Sequence, residues 1–193
     1  MEHFYQNIEG WMNIDKVEPL WEYLLDNLPK TKLNIAEVGV FKGRGTALIN
    51  VFLKNKNVEY NYYAIDHFKG SEDFFQTLPN EHKEGIDYYP IAFENLKKFL
   101  ADNNNVSLIK NNSIEESKNY SDGFFNIVYL DGSHDYVSVK NDILAWIPKI
   151  KQGGFLCGDD YSTGWPGVKN AVDNIFSEKV VIKGPDQWAV KIT

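Results

Sequence analysis

The sequence predicts a three-layer α/β fold: a mostly parallel seven-stranded sheet, covered by helices, that ends in an antiparallel C-terminal hairpin. Three observations carry this. From residue 33 onward, apolar runs of strand length alternate with amphipathic stretches of helix length. Several of those runs stop on a glycine or an aspartate: Gly39, Asp66, Asp131 and Asp159. The last two runs are separated only by the turn Gly184-Pro185-Asp186, which is too short for a crossover helix. Strand–helix alternation gives a parallel sheet whose strand-to-helix turns share one edge, and that edge is where such folds bind ligands.

Leu33 to Val38 reads as a buried strand ending at Gly39, followed by helical periodicity over Thr46 to Leu53. Tyr60 to Ile65, rich in β-favouring aromatics, is a second strand ending at Asp66. A turn-rich segment from His67 to Asp87 precedes a helix from about Ile91 to Asp102, and Asp102 to Asn105 is a polar turn. Val106 to Ile109 and Asn126 to Leu130 are the third and fourth strands. A helix over Tyr136 to Ile147 leads through Pro148 and Gly153-Gly154 to a fifth strand, Phe155 to Gly158. Val168 to Phe176 is helical, and Val180 to Ile182 with Trp188 to Ile192 forms the hairpin. Residues 1–32 precede the sheet and hold an amphipathic helix, about Val17 to Leu28, read as an extension or lid on a domain spanning 33–193.

Composition narrows the classes. The 193 residues carry 43% hydrophobic side chains and a net charge of -7. That balance suits one globular domain and disfavours sequence-independent nucleic-acid binding, which needs clustered Lys and Arg. The lone Cys157 sits in the apolar run Phe155-Leu156-Cys157 and reads as a small buried residue. No stretch approaches the roughly 18 apolar residues of a membrane span. Met1 to Gln6 lacks the basic and apolar regions of a signal peptide. A cytoplasmic protein without membrane partners is expected, and a homodimer through the N-terminal helix is compatible with its size.

The glycine turn Gly39-Val40-Phe41-Lys42-Gly43-Arg44-Gly45 joins a strand to a helix, so backbone amides and a positive helix end can face a ligand. Its spacing is G-x-x-x-G-x-G, unlike the G-x-G-x-x-G of dinucleotide-binding domains. Glu37 places a carboxylate near the end of an otherwise apolar strand, where burial needs a reason. Asp66 lies about where an acidic residue accepts hydrogen bonds from ribose hydroxyls. Asp131, Asp159 and Asp160 end adjacent strands on one edge, and clustered carboxylates repel unless a cation or protons intervene. Oxygen-only ligation suits Mg²⁺. The competing reading has Asp159 and Asp160 capping the next helix or facing solvent. His134, three residues past Asp131, is the candidate base, or else it helps start the helix that Asp135 caps.

Together these residues resemble the class I S-adenosylmethionine-dependent methyltransferases. Glu37 to Gly43 looks like their first motif and Ala64-Ile65-Asp66 like their second. Asp66-His67-Phe68-Lys69-Gly70-Ser71, Leu130-Asp131-Gly132-Ser133-His134-Asp135-Tyr136 and Gly153 to Tyr161 resemble the small O-methyltransferases related to macrocin-type sugar methyltransferases. Ile8 to Met12 and Gln187 to Val190 fit too. The resemblance implies a Rossmann-like methyltransferase fold, S-adenosylmethionine as cofactor and a small-molecule hydroxyl as acceptor. By it, Gly39 would contact the methionine portion, Glu37 would lie beneath the amino group and Asp66 would hold the ribose. Asn112-Ser113-Ile114 would face the adenine, with Asn112 where the family usually has an acidic residue. Phe41, Gly43, Thr46, His67 and Asp131 complete the implied cofactor set. Asp131, Asp159 and Asp160 would hold a divalent metal, with Asp131 and His134 as catalytic candidates. Trp11, Phe68, Phe74, Phe75, Tyr161 and Trp165 flank the site in sequence, and Trp11 and Trp165, both in turn-like segments, are candidate lid residues. The competing functions are a nicotinamide-dependent oxidoreductase and a non-catalytic module that binds S-adenosylmethionine.

Overall fold

The computed structural model describes residues 4–71, 85–102 and 104–193. Phe74, Phe75, Asn103 and Met1 to His3 lie outside them. The strands are β1 (Leu33–Val38), β2 (Tyr60–Asp66), β3 (Val106–Lys110), β4 (Phe125–Leu130), β5 (Ile150–Gly158), β6 (Val181–Ile182) and β7 (Trp188–Lys191). The helices are α1 (Ile14–Asp26), α2 (Arg44–Asn55), α3 (Tyr89–Asp102), α4 (Ser113–Ser117), α5 (Tyr136–Trp146) and α6 (Pro166–Phe176).

The strands form one seven-stranded sheet in the order β3-β2-β1-β4-β5-β7-β6. β1 to β5 pair in parallel, and β7 runs antiparallel to both β5 and β6. The expected fold is therefore observed, with the hairpin inserted so that its second strand, not its first, meets β5. Strand order reverses between β1 and β4, which opens the crevice at the switch point between Gly39 and Asp131.

Alternation along each strand sorts side chains into two cores. Ile35, Ile127 and Cys157 join α1, α2 and α3 on one face, while Ala36, Val128 and Leu156 join α5 and α6 on the other. Val17, Leu20, Trp21 and Leu24 recur at helical spacing and are all fully buried, so the apolar face of α1 belongs to the first core. Cys157 is buried there as a packing residue, and that burial pushes its thiol well above the ordinary range.

The structure departs from the sequence reading in two places. β5 begins at Ile150 instead of Phe155, because Gly153-Gly154 sits within the strand beside a register shift opposite Phe125 and Ile127. A bulge of this kind breaks the alternation by which a strand start is read. The helix α4 is new; five residues are too short to show a period. Asn112 caps it, its Oδ1 accepting from the backbone N–H of Ile114 and Glu115.

Candidate active site

The carboxyl ends of β1, β2, β4 and β5 converge on a cavity of about 730 Å³. Of the residues singled out from sequence, Glu37, Gly39, Phe41, Asp66, His67, Asn112, Ser113, Ile114, Asp131, His134, Asp159 and Asp160 line it. Gly43 and Thr46 do not. Gly43 is the left-handed N-cap of α2, and Thr46 lies behind Glu37, its Oγ1 donating to Glu37 Oε2 at 2.5 Å.

The turn after β1 is fixed from two sides. Gly39 has φ +96°, and a Cβ there would lie 2.0 Å from the carbonyl oxygen of Asp131. The glycine is thus demanded by the close approach of β4 as much as by any ligand. Asp66 binds the turn from the other strand. Its Oδ2 accepts from Val40 and Phe41 N–H, both at 2.8 Å, and its Oδ1 from Phe68 N–H at 2.6 Å. Phe41, Phe68 and Asp160 all hold positive φ, a strained conformation for side-chain-bearing residues, and all border this cavity.

Glu37 is 1% exposed. Burial raises its pKa to about 8, against the opposing hydrogen bonds from Thr46 and the Tyr62 hydroxyl at 3.0 Å. His67 borders the cavity beside Asp66, and its Nδ1 accepts from Lys69 N–H at 3.0 Å. Asn112 is committed through its oxygen to the cap of α4 and borders the cavity there.

The N-terminal segment supplies a wall that the sequence only hinted at. Arg44 Nε donates to Met12 O at 2.6 Å and Nη1 to Ile8 O at 2.9 Å, and Lys42 pairs with Glu9 at 2.7 Å. Trp11, 53% exposed, stacks on Phe41 with centroids 5.8 Å apart at the rim of the cavity. Trp165 stacks on His134, with centroids at 4.0 Å and planes 21° apart.

At the far end, ligand oxygens of Asp131, Asp159 and Asp160 lie within 4.8 Å of one another. Neither aspartate after β5 is the cap of the next helix: the N-cap of α6 is Trp165, and Asp159 is 6% exposed. Burial, then repulsion from Asp159 and Asp160, drives the Asp131 carboxyl well above the usual carboxylate range. Asp159 is raised for the same two reasons, with Lys16 opposing. Lys16 Nζ sits 3.2 and 3.3 Å from the Asp159 oxygens, and His134 Nε2 is 3.0 Å from Asp160 Oδ2. Burial works against the charge of Lys16, but the surrounding aspartates outweigh it and its pKa is raised. Asp142, also lining the cavity, is raised to about 6 by burial.

Sequence reasoning missed Lys16, Arg44, Tyr62 and Asp142. Lys16 meets an aspartate 143 positions away, and no local pattern announces that meeting. Tyr62 was visible only as a strand aromatic. Arg44 stood inside the glycine turn, where its partners, carbonyls of the N-terminal segment, carry no sequence signal.

Comparison with known proteins bears on this geometry. The family described as "Methyltransferase domain" matches residues 36–161, which hold the end of β1, the whole glycine turn and β2 to β5. An uncharacterised protein, R132 of Acanthamoeba polyphaga mimivirus, is 27% identical over 166 residues, covering 81% of this chain and 65% of the relative's own length. The O-methyltransferase NovP superposes with a TM-score of 0.68 at 18% identity, over 99% of this chain and 80% of NovP. The MycE methyltransferase of the mycinamycin biosynthetic pathway, solved with Mg and SAH, gives a TM-score of 0.53 at 16% identity, over 90% of this chain and 49% of MycE. At such identities the structural likeness establishes the fold. With the family match extending over most of the sheet and its ligand-facing edge, the chain belongs to the methyltransferase-domain family and carries its class I, Rossmann-like fold.

Proposed function

We propose that this chain is an S-adenosylmethionine-dependent O-methyltransferase acting on a hydroxyl of a small molecule, a sugar or glycosylated metabolite, with assistance from a divalent cation. The observation that carries the reading is one continuous cavity with two chemically different ends. One end offers a glycine turn, a buried carboxyl and a strand-end aspartate. The other offers three aspartates and an imidazole.

The first end suits S-adenosylmethionine. A cavity of about 730 Å³ lies in the range of ligand sites of that size. Gly39 leaves room for close backbone approach, Glu37 sets a carboxyl toward the methionine ammonium, and Asp66 faces the ribose. Asp66 already accepts three backbone N–H groups, so a ribose hydroxyl shares its remaining lone pair. Asn112 to Ile114 border the adenine, with the Asn112 amide as donor to its edge.

The second end suits a hard divalent ion by its donor set, since all three groups are carboxylates. Asp131, Asp159 and Asp160 would hold it. When bound, such an ion lowers the pKa of a nearby hydroxyl. MycE, whose structure contains Mg and SAH, supports this by analogy. His134 is the proposed base. If its Nε2–H donates to Asp160, Nδ1 is the basic nitrogen, and the carboxylate stabilises the imidazolium formed on proton uptake. The stacked Trp165 ring holds the imidazole plane. The acceptor oxygen then attacks the methyl carbon in line with the breaking C–S bond. An ether and S-adenosylhomocysteine form, and the hydroxyl proton ends on His134. Alignment and water exclusion supply most of the rate.

Calorimetric titration with S-adenosylmethionine and S-adenosylhomocysteine tests the cofactor reading, and absence of heat for both at millimolar concentration overturns it. A screen of hydroxyl acceptors, run with and without chelator, tests the rest. Asp159→Asn should bind cofactor and lose turnover; turnover indifferent to chelator removes the metal from the mechanism.

A further inference from the structure

The aspartate cluster already contains a cation belonging to the chain. Lys16, in the first turn of α1, reaches across the crevice and places its ammonium against both oxygens of Asp159, at 3.2 and 3.3 Å. Asp159 is buried and its partner lysine is 23% exposed, so the pair is largely withdrawn from water. Asp160 and Asp131, the other two members of the cluster, also favour the charged form of this ammonium. The N-cap Asn13, whose side chain accepts from the Lys16 backbone N–H at 3.1 Å, fixes where the lysine leaves the helix. Lys16 also lines the main cavity, so its head group lies within the site and not behind it.

An ammonium and a divalent ion make the same demand on these oxygens. Both need carboxylate lone pairs, and Asp159 has only one of its four left while it accepts from Lys16 through both oxygens and also receives the Asp160 N–H at 2.8 Å on Oδ1; an ammonium held that close also repels a second cation. We propose that Lys16 is the resident counter-ion of the aspartate cluster and that a divalent cation binds there only by displacing it. The inference rests on the metal-assisted reading given above and adds a competitor to it: the affinity of the site for metal is set by this chain's own lysine as well as by its aspartates.

Direct Mn²⁺ binding measures this without turnover. The protein is titrated with Mn²⁺ and the free ion followed by electron paramagnetic resonance, for wild type, Lys16→Met and Lys16→Arg, each saturated with S-adenosylhomocysteine. Lys16→Met should bind Mn²⁺ at least about tenfold more tightly, within the range usual for coupled sites. Lys16→Arg keeps the cation and should stay near wild type. Adding Asp159→Asn to Lys16→Met should abolish the gain, which locates the ion. Equal or weaker affinity in Lys16→Met overturns the proposal, as does a gain that survives Asp159→Asn. Absence of Mn²⁺ binding in every variant overturns both the proposal and the metal reading, while S-adenosylhomocysteine binding in the same samples reports separately on the methyltransferase reading. Lys16→Gln serves if the methionine variant fails to fold, as judged by its melting transition.

Discussion

Replacing Glu37 by Gln gives the most direct test of the buried carboxyl at the end of β1. In the folded chain its pKa is raised to about 8, first by burial, with the Thr46 and Tyr62 hydroxyls only partly offsetting it. In the unfolded chain the group titrates near 4.5. Between those values the folded protein keeps a proton that the unfolded chain has released, so its favourable contribution is fully present below pH 4.5 and is lost as pH rises through about 8. At about 1.4 kcal/mol per pH unit, the loss is roughly 5 kcal/mol over that window. Gln preserves shape and an acceptor oxygen but cannot titrate. Urea unfolding of wild type and Glu37→Gln, repeated from pH 5 to 8.5, isolates the effect. The other titrating groups, Asp131 and Asp159 among them, are common to both proteins and largely cancel in the difference. The variant should gain on wild type steadily with rising pH, most steeply between pH 5 and 8. A difference that is flat with pH would show that Glu37 is ionised in the fold and that its burial is relieved by something other than a proton.

The same carboxyl predicts proton release on cofactor binding: at pH 7 it is about nine-tenths protonated, and an ammonium placed beside it favours the ionised form. Calorimetry with S-adenosylmethionine in buffers of different ionisation enthalpy should show release approaching one proton, absent in Glu37→Gln. Gly39→Ala should lower stability by roughly 3 kcal/mol or more, since it combines a positive φ with a clash against Asp131 backbone; a melting temperature near wild type would mean that β1 and β4 separate easily. Asp66→Asn puts an amide where two or three backbone donors point and should cost about 1–3 kcal/mol of stability, together with weaker S-adenosylhomocysteine binding. Unchanged affinity in that variant would remove Asp66 from the cofactor site.

Much of this protein is written locally. Strand period, helix period and the short C-terminal turn are properties of neighbouring residues, so the sheet, its parallel majority and the antiparallel hairpin were legible before any coordinates. That Gly39, Asp66, Asp131 and Asp159 line one cavity was legible because strand ends in a parallel sheet must share an edge, whatever their separation in sequence. Asp135, too, showed itself as a cap because capping is a contact over three residues.

Three features needed the tertiary structure, and for one reason: they depend on which distant groups share space. Gly39 looked like a ligand-facing glycine, yet the nearest obstacle to a side chain is the Asp131 backbone, which only strand order brings there. The family resemblance implied Thr46 and Gly43 as cofactor residues, whereas packing puts one behind Glu37 and the other against Leu96. Lys16 had no local signature. Its meaning comes from Asp159, buried at the end of a strand far along the chain, where withdrawal from water turns an ordinary surface lysine into the charge partner of a carboxylate cluster. Local pattern determined the elements and the edge on which they meet; long-range burial decided which charges face one another there.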